Sequence, residues 1–383
     1  MFKTFKKAEA TSQNLDNLLT KEDAKKRMFK WLTMLGIALA ATIGAMLIQF
    51  LVIMPKKGEH LDLDTKDGVF SLAMAIILFI AGTAVSVIFI VTSSKVKYND
   101  EGINTKWAIA AGVTAGFTDT ISVGSFGVAT AILKKSKTIK DDTKLPGTLN
   151  VAFVLSGTLE ASLFIGTIKV DMLTILLLLV AILIGTFVGS WFVTKINKAL
   201  VVKGFMGIAL FIVGILMILA HPQVNVFGDL GATSGLTGWR LGLGIVGFLL
   251  LGMIQSFGIG LFAPAIAVLS FLGMKQEAIL PIMSCGSALS MMPAAFNFVR
   301  TKKYNQLTGS LMHIWSVLGL LAAFLIVFAG LKSIPGMGDF APNTTTPYFE
   351  VVLKWIAIPV IFYVSITLLW EFYQALKAEK TKK

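Results

Sequence analysis

The sequence predicts an all-α polytopic membrane protein that contains an inverted repeat of two units. The 383 residues are 55% apolar and only 14% charged, whereas a soluble domain carries about 25% charged residues. Mean hydropathy is +0.79, and the apolar residues form runs of 20 or more, long enough to cross a hydrocarbon core of ~30 Å. Two polar, glycine-rich segments, Trp107–Leu133 and Trp239–Leu272, interrupt this pattern in the same register.

The composition excludes several other classes of protein. A membrane β-barrel would show alternating segments of ~10 residues. The net charge of +13 lies in loops and tails, which indicates membrane topology rather than nucleic-acid binding. The single Cys285 excludes an intrachain disulfide, and the three histidines lack metal-ligand spacing. No phosphate-loop or dinucleotide motif is present, so we expect no metal, no cofactor and no enzyme activity.

The chain divides into five parts. A basic tail, 1–28, precedes an extra N-terminal transmembrane hairpin, 29–92, which has no counterpart elsewhere in the chain. The first transporter repeat spans 107–220 and the second spans 239–372, and a basic tail, 373–383, follows them. In each repeat we expect one polar segment followed by three spanning helices. The predicted spans, including those of the hairpin, are 29–54, 69–92, 146–167, 172–194, 204–220, 278–299, 307–331 and 350–372.

The repeat is weak in identity but keeps its register for about 50 residues. The Leu145-Pro146 pair matches Leu280-Pro281 at the start of the second element in each unit. Within the polar segments the paired residues are Gly116 and Gly252, Asp119 and Gln255, Gly124 and Gly260, and Leu133 and Leu269.

The distribution of Lys and Arg favours a re-entrant hairpin for each polar segment. If both segments leave the membrane on the side they entered, 26 of the 34 basic residues lie on the cytoplasmic side; full crossing puts 20 there. Two arms of ~10 residues would reach ~15 Å, about half of the hydrocarbon core. Each unit then has three crossings, so the repeats are inverted, as in many secondary transporters. We therefore expect a multi-pass protein of the cell membrane with both termini in the cytoplasm.

The glycine-rich tips of the hairpins, Ser122–Gly127 and Gly258–Ala263, are the predicted substrate site. Half-helices that end at mid-bilayer present N–H groups and positive dipole ends, which suit an anion. The alternative is that the glycines only permit tight helix packing, and that nearby Ser, Thr and Asn residues only bond neighbouring helices. The candidate substrate-binding residues are Asp119, Ser122, Gly124, Thr148, Asn150, Gln255, Gly258, Gly260, Ser284 and Cys285.

Two carboxylates lie well inside predicted membrane segments, away from the segment ends: Asp119 and Glu160. An ionised carboxylate at mid-membrane costs at least ~2.5–3.5 kcal/mol, so both are candidates for proton coupling. For Asp119 the alternative is a capping carboxylate that accepts N–H groups at the tip. Glu160 lies ~14 residues into its span, past the midplane, where it either snorkels or joins an outward pathway.

The polar segments also resemble a known family. Gly116-Phe-Thr-Asp119 with its following glycine tip, and Pro146-Gly-Thr-Leu-Asn150, resemble motifs of the sulfite exporter TauE/SafE family, also called the toluene sulfonate uptake permease family. The resemblance covers about 107–330 and at most 372, and the N-terminal hairpin lies outside the usual pattern. The family's glycine run is reduced here to Gly124-Ser-Phe-Gly127, and no Lys follows Asn150.

The resemblance implies transport of sulfite, thiosulfate, sulfonates or other small organic anions. The resulting hypothesis is a secondary transporter that works by alternating access, with a small anion and the lipid bilayer as partners and no nucleic acid. Two alternatives stay open: a membrane-embedded enzyme that handles sulfur groups through Cys285, and an anion channel. The sequence does not decide whether the chain forms a homo-oligomer.

Overall fold

The computed structural model describes most of the chain between residues 19 and 381. The described residues are 19–53, 55, 63–100, 102–121, 124–164, 170–196, 198–219, 221, 223–224, 226, 233–330 and 348–381. Ser122 of the predicted site and residues 1–18 of the predicted tail lie outside them.

Within these residues the chain forms twelve α-helices. A five-residue π-helical segment extends the first of them, and a seven-residue one extends the eleventh. The helices are α1 Lys21–Ile48, α2 Lys66–Ser93, α3 Thr105–Thr120, α4 Ser125–Lys135, α5 Leu145–Phe164, α6 Met172–Val193, α7 Ala199–Leu219, α8 Gly238–Gln255, α9 Phe262–Phe271, α10 Gln276–Thr301, α11 Gln306–Ala323 and α12 Tyr348–Thr381.

Eight helices of the described chain are long and apolar enough to cross a membrane, namely α1, α2, α6, α7, α8, α10, α11 and α12. The helix α5, which the sequence predicts as a span, is not among them. It carries Asn150 and Glu160, and its described side chains are all buried by other helices. Because α5 has no lipid-facing surface of its own, it can hold more polar residues than the helices around it.

Helices at both ends of the chain extend into the predicted tails. The first helix begins at Lys21 rather than at residue 29, because the Thr20 side chain accepts a hydrogen bond from the Asp23 backbone N–H (3.1 Å) and caps it. The last helix, α12, continues to Thr381. Parts of both basic tails are therefore helical extensions of spans.

In two pairs of helices, the two members run parallel and pack against each other through glycine. A Cβ added to Gly116 of α3 would meet the carbonyl of Ser316 on α11, and Gly112 faces Met312 in the same way. In the second pair, Gly185 of α6 faces Leu249 of α8. The partners ascend together along both helices, so α3 is parallel to α11, and α6 is parallel to α8. Close backbone approach of this kind is typical of small residues in membrane helices.

One end of the bundle, which we call the basic end, gathers the residues 94–100, 102–104, 136–144, 194–196, 198 and 302–305. The Leu19 N–H donates to the Lys95 carbonyl (3.2 Å), which ties the start of α1 to the end of α2. The Asn305 N–H donates to Thr148 Oγ1 (2.9 Å), so the starts of α11 and α5 meet. Lys303 Nζ lies 3.4 Å from the Ile196 carbonyl at the end of α6.

The other end of the bundle, the opposite end, gathers the starts of α6, α8 and α12. The Asp171 N–H donates to the Ser234 carbonyl (2.9 Å), and the Lys275 N–H donates to the Thr233 carbonyl (3.1 Å). The second of these bonds brings the residues after α9 back to the start of α8. His221, after α7, lies 3.2 Å from the Val351 carbonyl of α12.

The N-terminal hairpin packs against the core through α2. A Cβ at Gly82 would overlap the Thr158 side chain of α5, so the two helices touch closely. The buried His313 of α11 bridges them, with one ring nitrogen 2.9 Å from Ser86 Oγ of α2 and the other 2.8 Å from the Val151 carbonyl of α5. The hairpin is thus joined to the core by buried polar contacts.

Candidate functional site

The first polar segment forms α3, a short connection and α4. The helices have 16 and 11 residues, so the first arm is longer than the ~10 residues predicted. The predicted length of the first arm was wrong because α3 runs from Thr105 to Thr120. The predicted tip is also shorter, because Ser125–Gly127 already belongs to α4. The Ser125 N–H donates to Asp119 Oδ1 (3.0 Å), so this carboxylate caps α4. Asp119 is 4% exposed.

Glu160 of α5 lies beside Asp119, although 41 positions separate them in the chain. Thr120 Oγ1 is 3.5 Å from Glu160 Oε2, and the two carboxyl groups interact electrostatically. Glu160 is also buried, so it does not snorkel to a surface of this bundle. The structure therefore brings both membrane carboxylates into one buried cluster.

The second polar segment forms α8, a connection at 256–261 and α9. Its arms have 18 and 10 residues. Gln255 occupies the position equivalent to Asp119, but it turns to a neighbouring helix: Ser290 Oγ of α10 donates to Gln255 Oε1 (2.6 Å). The N-terminus of α9 has no side-chain cap. The two segments thus use their paired polar residues differently.

The two tips lie near opposite ends of α7. Beyond the first tip, Ile121 forms a buried cluster with Ala323 and Val327, and Met217 of α7 packs against it. Beside the second tip, Phe257 stacks on Phe205 of α7, with ring centroids 3.9 Å apart. Phe205 and Met217 are ~18 Å apart along the helix axis. Each tip has therefore passed the middle of the bundle, whereas the sequence predicted that they face each other there.

Glycine is required at two tip positions by backbone conformation. Gly124 has φ +92° and Gly258 has φ +85°, values that side chains with a Cβ rarely adopt. Gly258 also lies against Pro146 and Leu149 at the start of α5. Among the described residues, no atom lies within 4 Å of a Cβ added to Gly124 or Gly260, so open space adjoins both half-buried positions.

The two candidate donors of α5 have different surroundings. Thr148 Oγ1 donates to the Lys144 carbonyl (2.7 Å) just before its own helix and accepts from the Asn305 N–H (2.9 Å), which joins α5 to the start of α11. Asn150 Nδ2 donates to the Pro146 carbonyl (2.9 Å). Its Oδ1 is buried and has no partner among the described residues. Thr148 matches the alternative of an interhelical bond, and Asn150 retains an unused acceptor.

The remaining candidates lie on α10. Ser284 is partly exposed. Cys285 is completely buried in an apolar cluster with Ile182, Leu261 and Ala288. No group of three or more His, Cys, Asp or Glu residues in the described chain is placed to hold a metal ion. The surroundings of Cys285 give no support to a sulfur-handling enzyme.

Sequence reasoning missed a ring of four charges at the basic end, which we call the charge ring: Lys134, Asp142, Lys203 and Glu371. Lys134 Nζ lies 2.7 Å from Asp142 and 2.8 Å from Glu371, and Lys203 Nζ lies 3.1 Å and 2.9 Å from the same two carboxylates. The ring joins α4 to α7 and α12. Glu371 within an apolar span was the signal that could have pointed to it.

A family model described as sulfite exporter TauE/SafE matches residues 20–217, more than half of the chain. The match includes α1 and α2, so the expectation that the N-terminal hairpin lies outside the family pattern was wrong. It ends before α8. Comparisons with curated proteins and with solved structures found no significant match. The match, the glycine-bearing polar segments and the eight apolar helices together show that this chain belongs to the TauE/SafE sulfite exporter family of multi-pass membrane anion transporters.

Proposed function

We propose that this chain is a secondary transporter that moves small sulfur-containing or organic anions across the cell membrane by alternating access. The family match supports sulfite as a substrate, and we extend the proposed class to thiosulfate and sulfonates. The observation that carries the mechanism is the matched packing of the two polar segments, in which α3 lies against α11 and α8 lies against α6.

An inverted repeat is supported by helix pairing. If α3–α7 is exchanged with α8–α12, the α3–α11 pair becomes the α8–α6 pair. The α5–α11 contact likewise becomes the α10–α6 contact, and the α5–α10 and α7–α12 pairs map onto themselves. Equivalent contacts made by two halves of one chain are what a two-fold pseudo-symmetry requires. The repeats 107–220 and 239–372 are thus our proposed units.

A re-entrant path for each polar segment is supported by where its arms end. The start of α3 is at the basic end, because α3 runs parallel to α11. The end of α4 returns there, because Lys134 pairs with Asp142 just before α5. At the opposite end, Lys275 after α9 bonds to Thr233 before α8. The two hairpins then enter from opposite faces.

The orientation follows from charge. The terminal regions 1–30 and 373–383 and the loop regions 93–106, 134–145, 195–203 and 300–306 hold 26 of the 34 Lys and Arg residues. An excess of basic residues marks the cytoplasmic side. The basic end is therefore the cytoplasmic face in this proposal, and both termini lie in the cytoplasm.

The substrate site lies between the two hairpins, along the stretch of α7 that separates their tips. The open space beside Gly124 and Gly260 allows an anion to approach the backbone. Neutral donors from Ser284 and Gln255 provide hydrogen bonds without a fixed charge. We retain Ser122, Gly258, Asn150 and Asp119 as site residues and assign Thr148 and Cys285 to packing.

Asp119 and Glu160 form the proton-coupling group of the proposal. Both are buried, the Thr120 hydroxyl next to Asp119 in the chain lies 3.5 Å from Glu160 Oε2, and no Lys or Arg pairs with either carboxylate among the described residues. Two adjacent buried carboxylates disfavour double ionisation, so one proton held between them stabilises the pair. The second repeat has Gln255 and Ala295 at the matching positions, so the proton step is confined to one half.

Flux in proteoliposomes tests the function. We expect purified protein to move sulfite down an imposed gradient, with a proton signal reported by an internal pH dye. Asp119→Asn should lower the sulfite flux at least tenfold and remove the proton signal, since proton transfer at one group contributes roughly this much or more. Glu22→Gln, which removes an exposed carboxylate on α1, is the matched control.

The outcomes are separable. If no small anion moves under any gradient, the transporter proposal is wrong. If Asp119→Asn carries protons as the wild type does, the transporter stands and the proton role of Asp119 is wrong.

Labelling from outside intact cells tests the orientation. Lys137→Cys and Lys198→Cys should resist a membrane-impermeant maleimide, because both are exposed at the basic end. Arg240→Cys, exposed at the opposite end, should react. The buried Cys285 gives a low background. External labelling at residue 137 or 198 contradicts the re-entrant topology.

A further inference from the structure

A groove at the basic end separates the first two turns of α1 from the last turn of α2. Its volume is about 390 Å³. We call it the lysine groove, and its residues are Leu19, Lys21, Ala24, Lys25, Met28, Val91, Ser94 and Lys95. On α1 these positions share one face, since residues three and four apart are neighbours on a helix.

The groove is strongly positive. Lys21, Lys25 and Lys95 line it, and none has an acidic partner within 4 Å among the described residues. The nearby acids are engaged on other faces of α1. Glu22 pairs with Lys26 (2.7 Å), and Asp23 accepts a hydrogen bond from Thr20 Oγ1 (2.6 Å). Three unpaired lysines around one cavity favour an anionic ligand.

A buried hydroxyl at the groove has no partner. Ser94 is fully buried, and its Oγ makes no hydrogen bond with the described residues. Its neighbour Ser93 is satisfied by the Ile90 carbonyl (3.3 Å). An unsatisfied buried hydroxyl is costly, so a ligand oxygen that accepts from Ser94 would remove a penalty. This observation is independent of the lysines and points to the same kind of ligand.

The remaining wall is apolar. Leu19, Ala24, Met28 and Val91 provide it, and the groove lies where the apolar run of α1 begins after its basic first turns. A small soluble anion has no apolar surface to bury against this wall, whereas the glycerol and upper acyl carbons of a lipid can pack against it. Basic pockets between membrane helices are known to hold anionic lipid headgroups.

We propose that the lysine groove binds the phosphate of an anionic phospholipid, with the three lysines around the phosphate and Ser94 as a hydrogen-bond donor. The bound lipid lies in the cytoplasmic leaflet if the proposed orientation is correct. The lipid site itself does not depend on the transport activity.

Native mass spectrometry of the purified full chain tests the proposal. Protein is reconstituted in nanodiscs of phosphatidylcholine with ~30% phosphatidylglycerol, a composition at which the surface potential resembles that of an anionic leaflet. The lipid molecules that the protein retains are then counted. The test variant is Lys21→Gln/Lys25→Gln/Lys95→Gln. The matched control, Lys26→Gln/Lys30→Gln/Lys97→Gln, removes the same charge from the same helices outside the groove.

We expect one phosphatidylglycerol to be retained by the wild type and by the control, and the groove variant to bind it at least tenfold more weakly. Each lysine near the surface contributes a factor of about five. Ser94→Ala should weaken binding two- to fivefold, since one hydrogen bond is lost. Inorganic phosphate should not displace the lipid, because it lacks the apolar part.

Equal loss in the groove variant and the control would overturn the proposal in favour of general surface charge. If inorganic phosphate at millimolar concentration displaces the lipid, the groove is a site for phosphate and the lipid assignment is wrong. Circular dichroism of each variant, expected to match the wild type, excludes misfolding as the cause.

Discussion

The two polar segments, α3–α4 and α8–α9, share a backbone design and differ in chemistry. In both, a glycine of the first arm touches a parallel helix: Gly116 contacts α11, and Gly252 contacts α6. Both have a glycine with positive φ at the tip. Only the first carries a carboxylate, Asp119, and only the first has its second arm capped by a side chain.

This difference shows that the two polar segments can share a backbone shape while differing in charge. Glycine positions keep the two segments similar because a side chain there would collide with backbone. The residue at the tip is free to vary, since Gln255 finds another partner in Ser290. Asp119 both caps α4 and faces Glu160, so capping and proton exchange are compatible roles for one carboxylate.

The largest effect is expected from the shared glycines. Gly116→Leu and Gly252→Leu should each destabilise the protein by about 3 kcal/mol or more, because the new side chain meets backbone atoms of a neighbouring helix that cannot move aside. Thermal unfolding in detergent measures this. Gly44→Leu on α1 is the control, with no described atom within 4 Å of an added Cβ. If either test variant loses as little stability as the control, the two segments do not share the same close glycine packing.

The next effect concerns the charge ring, which anchors α4 at the basic end, whereas α9 contains no charged residue. Glu371→Gln should cost about 1–2 kcal/mol, between the values for exposed and buried pairs, since it leaves two lysines facing one carboxylate. Chemical unfolding at low and high salt measures it. If the loss in Lys134→Gln/Glu371→Gln equals the sum of the losses in the two single variants, the two residues do not interact.

The smallest effect separates the two roles of Asp119. Asp119→Asn keeps an acceptor for the Ser125 N–H, whereas Asp119→Ala does not, so the alanine variant should be about 1 kcal/mol less stable than the asparagine variant. Gln255→Ala should cost less, because Ser290 keeps its bond to the Ser287 carbonyl (2.8 Å). Unfolding free energies of the three variants provide the test. If alanine and asparagine at 119 are equally stable, the cap contributes nothing and the carboxylate is retained for function alone.

The helices were predictable because apolar runs of this length have few alternatives in a bilayer. The residues at which the helices begin and end were less predictable. Thr20 capping explains why α1 begins before the apolar run, and the tips are shorter than predicted because Ser125 and Phe262 already begin the second arms.

The chain's own sequence determined that this is a helical membrane protein with two related polar segments, because hydropathy and glycine spacing are local properties. It also pointed to Asp119 and Glu160 individually. Only the tertiary structure decided that these carboxylates are neighbours, that Thr148 bonds to Lys144 and Asn305, that Cys285 is buried, and that charges from α4, α7 and α12 form one ring. Such contacts join residues up to 237 positions apart, and they depend on which faces the helices bury against each other, which no local pattern specifies.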